Sequence, residues 1–320
     1  MTEPTLHFVT CTDAPALPSS TTQAAAAGDA LPGTHNMAYW QWGKPDSDHV
    51  VVCVHGLTRQ GRDFDVLAQA LCERAGGDLR VVCPDVVGRG RSDWLTNPAG
   101  YQVPHYAADM LALIGALHQQ RPMATLDWVG TSMGGLIGLG VAGQPGLPLP
   151  VPVRRLVLND VGPVIEWQSL VRIGTYLGHT GRFESLQQAA DAMWVISSSF
   201  GPHTPAQWLA LSRHMVKPLP GDTAGALTLH YDPAIALPFR ALNEAAAQAG
   251  EAMLWQLYDQ ITARVLITRG RQSDLLSPAT ALAMTQRGPR ATLVEFEGVG
   301  HAPTLIAPDQ LNAVASWLLE

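Results

Sequence analysis

The chain has 320 residues, enough for one large core or two domains. Hydrophobic residues make up 47% of it and charged residues 15%, the balance of a soluble globular protein rather than a disordered one. A net charge of -7 with no basic cluster argues against nucleic acid or an anionic membrane as the main partner.

The amino-terminal stretch MTEPTLHFVT has neither a basic start nor a long apolar run, so no secretory signal is expected. No stretch approaches the roughly 20 apolar residues that a membrane-spanning helix needs. Cys11, Cys53, Cys72 and Cys83 follow no metal-ligand spacing. They read as free, mostly buried thiols in a reducing compartment, and the expected location is the cytoplasm. Residues 13–33 are rich in Ala, Pro, Ser, Thr and Gly, and residues 1–33 are expected to be a loop-like N-terminal extension.

From there the chain alternates. MAYWQWG (37–43) has strand character, and HVVVCVHG (49–56) is a short apolar run of the kind that is buried on both faces. RDFDVLAQALCERAGG (62–77) has helical periodicity and ends on glycines. LRVVCPD (79–85) is a second buried strand, 104–119 a helix, ATLDWVGTS (124–132) a strand and RRLVLND (154–160) another. Strands alternating with helices imply a mostly parallel sheet covered on both faces. Residues 161–258 then read as largely helical, without a clear strand. The rhythm resumes with ARVLITRG (263–270), ATLVEFEG (291–298) and a final helix at 309–320. The expected organisation is an α/β core of residues 34–160 and 259–320, with a helical cap of residues 161–258 inserted before the last two strands. In open α/β sheets ligands bind beyond the carboxyl ends of the strands, where such an insertion is positioned to sit.

Chemistry enters at WVGTSMGGLIG (128–138). Ser132 lies between a strand and a helix-like run, with Gly130 and Gly134 two residues to either side. A turn this tight strains the backbone at the serine and leaves no room for side chains at the flanking positions. It lifts the hydroxyl off the sheet edge and directs the following amide, that of Met133, toward a reacting carbonyl. Glycines and a serine can also form an ordinary bend, but the strand before and the helix after favour a nucleophile. A serine needs a base. His301, in EGVGHAP after the last strand, is placed on a glycine-flanked loop at the same sheet edge. The histidine needs an orienting carboxylate. Asp274, in the loop after the preceding strand, is favoured over Asp160 at the end of RLVLND, although Ser-Asp before apolar residues is also a common cap.

The order Ser132, Asp274, His301 resembles that of the α/β-hydrolase superfamily over residues 35–320. VHGLTRQGRDF resembles the family's His-Gly loop, in which His55 and Gly56 shape the turn. The resemblance makes the amide of Leu57 the second oxyanion donor beside that of Met133. PDVVGRGRSD resembles the family's Asp-x-x-Gly-x-Gly-x-Ser segment, here Asp85, Gly88, Gly90 and Ser92, and the role it implies is structural.

What the resemblance implies is a serine hydrolase acting on a carboxylic ester or lactone of a small, partly apolar molecule. Carbon–carbon hydrolysis of ring-cleavage diketones comes second and acyl transfer third. A low-turnover small-ligand receptor is the reading from a different class. Trp167, Trp194, Trp208 and Trp255, with Met193, Phe200, Met215 and Tyr258, fall in the expected cap. Most are expected to fill its own core and one or two to line the pocket. GLGVAG (138–143) imitates a dinucleotide fingerprint but lies inside a helix rather than at a strand-to-helix turn, where small residues permit close packing. His203, His214 and His230 have no metal spacing. No cofactor and no metal are therefore expected.

Overall fold

The computed structural model describes residues 3–13 and 33–320. An eight-stranded sheet forms the centre. Its first half comes from β1 (Thr5–Thr12), β2 (Thr34–Gly43), β3 (His49–Val54), α1 (Asp65–Arg74), β4 (Arg80–Pro84), α2 (Val103–Gln120), β5 (Thr125–Thr131), α3 (Met133–Gly143) and β6 (Val153–Asn159). A helical segment follows: α4 (Trp167–Tyr176), α5 (Leu186–Ser197), α6 (Pro205–Arg213), the strands β7 (Val216–Pro218) and β8 (Leu227–Leu229), α7 (Ala236–Arg240) and α8 (Glu244–Asp259). The sheet is completed by β9 (Arg264–Gly270) and β10 (Thr292–Phe296), with α9 (Pro278–Gln286) between them and α10 (Pro308–Leu319) last.

The strand order is β1-β2-β4-β3-β5-β6-β9-β10, parallel except that β2 runs antiparallel to both β1 and β4. The sequence logic is visible along β3. Val50, Val52 and Val54 face one way, into a core that includes Met110, Leu113 and Ile114 of α2 and Ile137 of α3. Val51 and Cys53 face the other way, onto Leu67 and Leu71 of α1 and Val314 and Leu318 of α10. Both faces of the strand are covered, which is why it reads as a continuous apolar run.

Two elements differ from the sequence reading. Thr5–Thr12 is a strand, not a loop, paired residue for residue with β2 from Thr5↔Gln41 to Thr12↔Thr34. It escapes notice because it is an edge strand whose side chains are mostly exposed, so it carries no clean apolar alternation. The rest of the loop expected over residues 13–33 lies almost wholly outside the described residues. The helical segment also holds the short ribbon β7–β8, whose strands of three residues each are too brief to show a period. The four cysteines are free, as expected. Among the described residues, no helix is long and apolar enough to cross a membrane.

GLGVAG lies within α3, as expected. A Cβ on Gly138 would overlap the Trp128 indole of β5, and one on Gly143 the Leu257 carbonyl of α8. Two of these glycines therefore let α3 lie close to the sheet and to α8.

Candidate active site

The carboxyl ends of β3, β5, β6 and β9 and the loop after β10 converge on Ser132. This residue sits between β5 and α3 at φ 52° and ψ -116°, a conformation costly for a side-chain-bearing residue, by roughly 1–3 kcal/mol. Gly130 and Gly134 are what make the turn possible. A Cβ on Gly130 would overlap the Gly134 carbonyl, and one on Gly134 the Val54 carbonyl of β3. The Ser132 amide donates to the Asn159 carbonyl (3.0 Å), and its carbonyl accepts from the Gly135 and Leu136 amides as α3 begins.

His301 reaches the serine from the loop after β10. Its Nε2 lies 2.9 Å from Ser132 Oγ, and its Nδ1 lies 2.7 Å from Asp160 Oδ2. With Nδ1–H donating to the carboxylate, Nε2 is left to accept the serine hydroxyl. The loop can come this close because Gly270 has no side chain; a Cβ there would overlap the Gly300 and Val299 carbonyls.

The carboxylate is the one point where the favoured assignment is corrected. The structure brings Asp160, not Asp274, to His301. Asp160 follows β6 directly, in a left-handed conformation (φ 56°) that aspartate tolerates. Its amide donates to the Thr268 carbonyl of the neighbouring β9 (2.7 Å), and its side chain is fully buried. Besides His301, the carboxylate accepts from the Gly270 amide (2.9 Å) and the Ser273 hydroxyl (2.6 Å). Asp274 points elsewhere. It is 47% exposed and forms a two-bond fork with Arg172 of α4 at 2.7 and 2.9 Å.

Asn159 and Ser273 were missed by the sequence reading. Asn159 Nδ2 donates to Thr131 Oγ1 (2.9 Å) and to the Pro303 carbonyl (2.8 Å), and its Oδ1 accepts from Thr268 Oγ1 (2.8 Å). One amide thus ties the serine strand, β9 and the histidine loop together. The Asn-Asp pair at the end of an apolar strand was the available signal.

Gly56 lies next to Ser132, where a Cβ on it would sit 3.8 Å from Ser132 Cβ, and Leu57 follows it into the cavity wall beside Ser132. Two buried side chains hold this loop. His55 Nδ1–H donates to the Gly56 carbonyl (2.7 Å), while Nε2 accepts from the Val86 amide (2.9 Å). Complete burial drives its pKa down to about 3, so it stays neutral. Arg89, also fully buried, donates to the Leu57 carbonyl (2.8 Å) and the Val87 carbonyl (2.7 Å), with Tyr106 under its guanidinium. The Asp85 segment is a scaffold. The Asp85 carboxylate accepts from the Gly61 and Arg91 amides and the Trp40 indole, and Ser92 accepts from the Ala38 amide and donates to the Asp85 carbonyl.

Two cavities meet over Ser132 and share Leu57 and Ile173 as walls. The larger, about 900 Å³, is bounded by apolar side chains such as Leu136, Val161, Ile165, Phe239 and Leu254. The smaller, about 250 Å³, mixes Met193, Phe200 and Met215 with Arg172, Tyr176 and His179. None of the four tryptophans named from the sequence lines either cavity. Trp194 and Trp208 pack edge to face at 5.0 Å, with Trp208 buried beside Met193 and Met215. His203 is held by Thr304 Oγ1 (3.0 Å) and the Gly201 carbonyl (2.8 Å).

Residues 51–314 match the model of the alpha/beta hydrolase family. The chain is 50% identical over 279 residues to a 3-hydroxybutyrate-oligomer hydrolase of Cupriavidus necator, covering 87% of this chain and 91% of the relative. It is 28% identical over 281 residues to a 2-(acetamidomethylene)succinate hydrolase of Mesorhizobium japonicum, covering 85% and 88%. Among solved structures, an alpha/beta hydrolase from Novosphingobium aromaticivorans is 32% identical, with a TM-score of 0.78 over 100% of this chain and 99% of the other.

Proposed function

We propose that this chain, which belongs to the alpha/beta hydrolase family, hydrolyses short ester-linked oligomers of 3-hydroxybutyrate through an acyl-enzyme on Ser132. The observation that carries the chemistry is the hydrogen-bonded series Ser132–His301–Asp160 at the junction of two cavities. His301 takes the serine proton as Oγ attacks the ester carbonyl. The Leu57 and Met133 amides stabilise the oxyanion, each such donor being worth about 3–4 kcal/mol of the barrier. Asp160 fixes the histidine tautomer and offsets the charge that develops on the ring. His301 then protonates the leaving hydroxyl and activates water for the second half of the reaction.

The substrate class rests on the relative at 50% identity and on the shape of the cleft. An oligoester needs room on both sides of the bond that breaks, and Ser132 lies on the boundary of two chambers. The apolar chamber suits methyl-bearing repeat units. The smaller one offers polar side chains to a chain end. The segment of residues 161–258 acts as the cap that supplies most of both walls.

The test is incubation of linear 3-hydroxybutyrate dimer and trimer with wild type and Ser132→Ala, with released monomer followed by chromatography. Monomer from wild type alone supports the reading. Turnover of p-nitrophenyl esters without turnover of the oligomers would keep the esterase and discard the substrate. Inertness toward every ester would sink both and turn attention to carbon–carbon cleavage or to ligand binding without turnover.

A further inference from the structure

A second cluster of reactive side chains lies where β1, β2 and α2 meet, and none of its members lines the catalytic cleft. Cys11 on β1, His35 on β2 and Asp109 on α2 are buried, at 1%, 4% and 1% exposure. Their sulfur, ring nitrogen and carboxylate oxygen all lie within 4.8 Å of one another. His35 Nε2 is 3.1 Å from Asp109 Oδ2, while its Nδ1 is 2.8 Å from Asp13 Oδ1. His105, one helical turn before Asp109, brings its Nε2 to 3.7 Å from Asp109 Oδ1. Those last two atoms are both buried and have no hydrogen-bond partner among the described residues. Buried polar atoms left without a partner are costly, so two of them facing each other call for a shared partner.

We propose that this cluster binds one divalent transition-metal ion of the zinc type, with Cys11, His35 and Asp109 as ligands and His105 beside Asp109. The His35 Nε2–Asp109 Oδ2 separation of 3.1 Å is close to the roughly 3.3 Å between neighbouring ligands of a tetrahedral ion with bonds near 2.0–2.1 Å, and Cys11 lies within reach of both. A set of one thiolate, one imidazole and one carboxylate suits a borderline-soft ion and disfavours calcium or magnesium, which take oxygen ligands. Asp13 plays the part of the outer carboxylate that fixes a metal-bound histidine through its far nitrogen. On binding, the Cys11 thiol proton and the proton shared by His35 and Asp109 leave to solvent, so no other reactant is needed. The ion would fasten the edge strand β1 to β2 and α2.

The experiment uses the full chain, stripped with a chelator and then given zinc or cobalt alone. The expected result is one zinc retained per chain after desalting, with a higher melting temperature. Cobalt should give a thiolate-to-metal charge-transfer band that Cys11→Ser abolishes. Asp13→Asn should weaken zinc affinity by about 10- to 100-fold without abolishing it. Wild type that gives no such cobalt band overturns the proposal. So does equal zinc retention by wild type and Cys11→Ser, which would place the ion elsewhere. In either case the cluster is a histidine shared between two carboxylates. The wild-type cobalt spectrum decides the matter even if a variant fails to fold.

Discussion

Two loops leave the same sheet edge side by side, one after β6 and one after β9, and each carries an aspartate within a few residues of its strand. Their fates are opposite. Asp160 is buried and accepts from a backbone amide, a serine hydroxyl and His301. Asp274 lies at the surface in an ion pair with Arg172. The difference is not one of residue type. It comes from the left-handed turn at Asp160, which folds the carboxylate back across β9, whereas the chain after Gly270 runs on for four residues before reaching Asp274. Donors converge out of water on only one of these two carboxylates, the condition under which a carboxylate can orient a histidine.

The largest effect should come from the group both loops serve. Ser132→Ala is expected to lower kcat on any ester substrate by on the order of 10⁵- to 10⁶-fold with the fold intact, read from initial rates and a thermal melt. Asp160→Asn should follow at about 10⁴-fold, because an amide facing Nδ1 favours the wrong tautomer while leaving the geometry in place. A drop of that size in Asp274→Asn instead would reverse the assignment.

The same contrast between buried and exposed ionisable groups sets the acid stability. His55 has a folded pKa of about 3, below its unfolded value near 6.5, so the folded state binds fewer protons between those limits. Its contribution is fully present above pH 6.5 and is lost as the pH falls. Between pH 6.5 and 4.5 that loss is about 2 kcal/mol. Asp85, raised to about 6 by burial, works in the opposite direction, so the informative quantity is the difference between proteins. Urea titrations of His55→Gln should show a less stable protein at pH 7 whose stability changes less than that of wild type on acidification by about this amount. Parallel curves would mean that His55 is not the group that titrates. Ser273→Ala removes one of the three donors to Asp160, and its effect on catalysis should be well below that of Asp160→Asn. One hydrogen bond to a charged group is worth about 1.5–3 kcal/mol, so kcat should fall about 10- to 100-fold, with KM unchanged.

What could be read from the sequence was what is local. The strand–helix rhythm, the glycines around Ser132 and the glycine-flanked loop of His301 are all written within short windows, and the structure brings Ser132 and His301 together. The acid is set by something long-range. Whether Asp160 or Asp274 meets His301 depends on the register of β6 against β9, in which Asn159 faces Thr268, and no window of sequence contains both strands. The cavity walls follow the same rule. Trp194 and Trp208 pack against each other in the helical segment and Trp255 lies under Arg287, while Met193, Phe200 and Met215 reach the cleft. Side-chain direction on a helix that docks by tertiary contacts is not legible from composition.

The smallest effect is the sharpest test of the comparison. Asp274→Asn removes the negative partner of Arg172 but leaves every donor around Asp160 in place. An exposed pair of this kind contributes about 0–1 kcal/mol, so the melting temperature should scarcely move and should move less at high salt. Arg172 also borders the smaller cavity, and losing its partner frees a cation there. Catalysis of neutral p-nitrophenyl esters should stay within a few-fold of wild type, while KM for an oligomer bearing a free carboxylate should fall modestly. A change in KM confined to the charged substrate would mark Asp274 as a neighbour of the binding site. An equal loss of kcat on both substrates would mean that the loop after β9 reaches the chemistry after all.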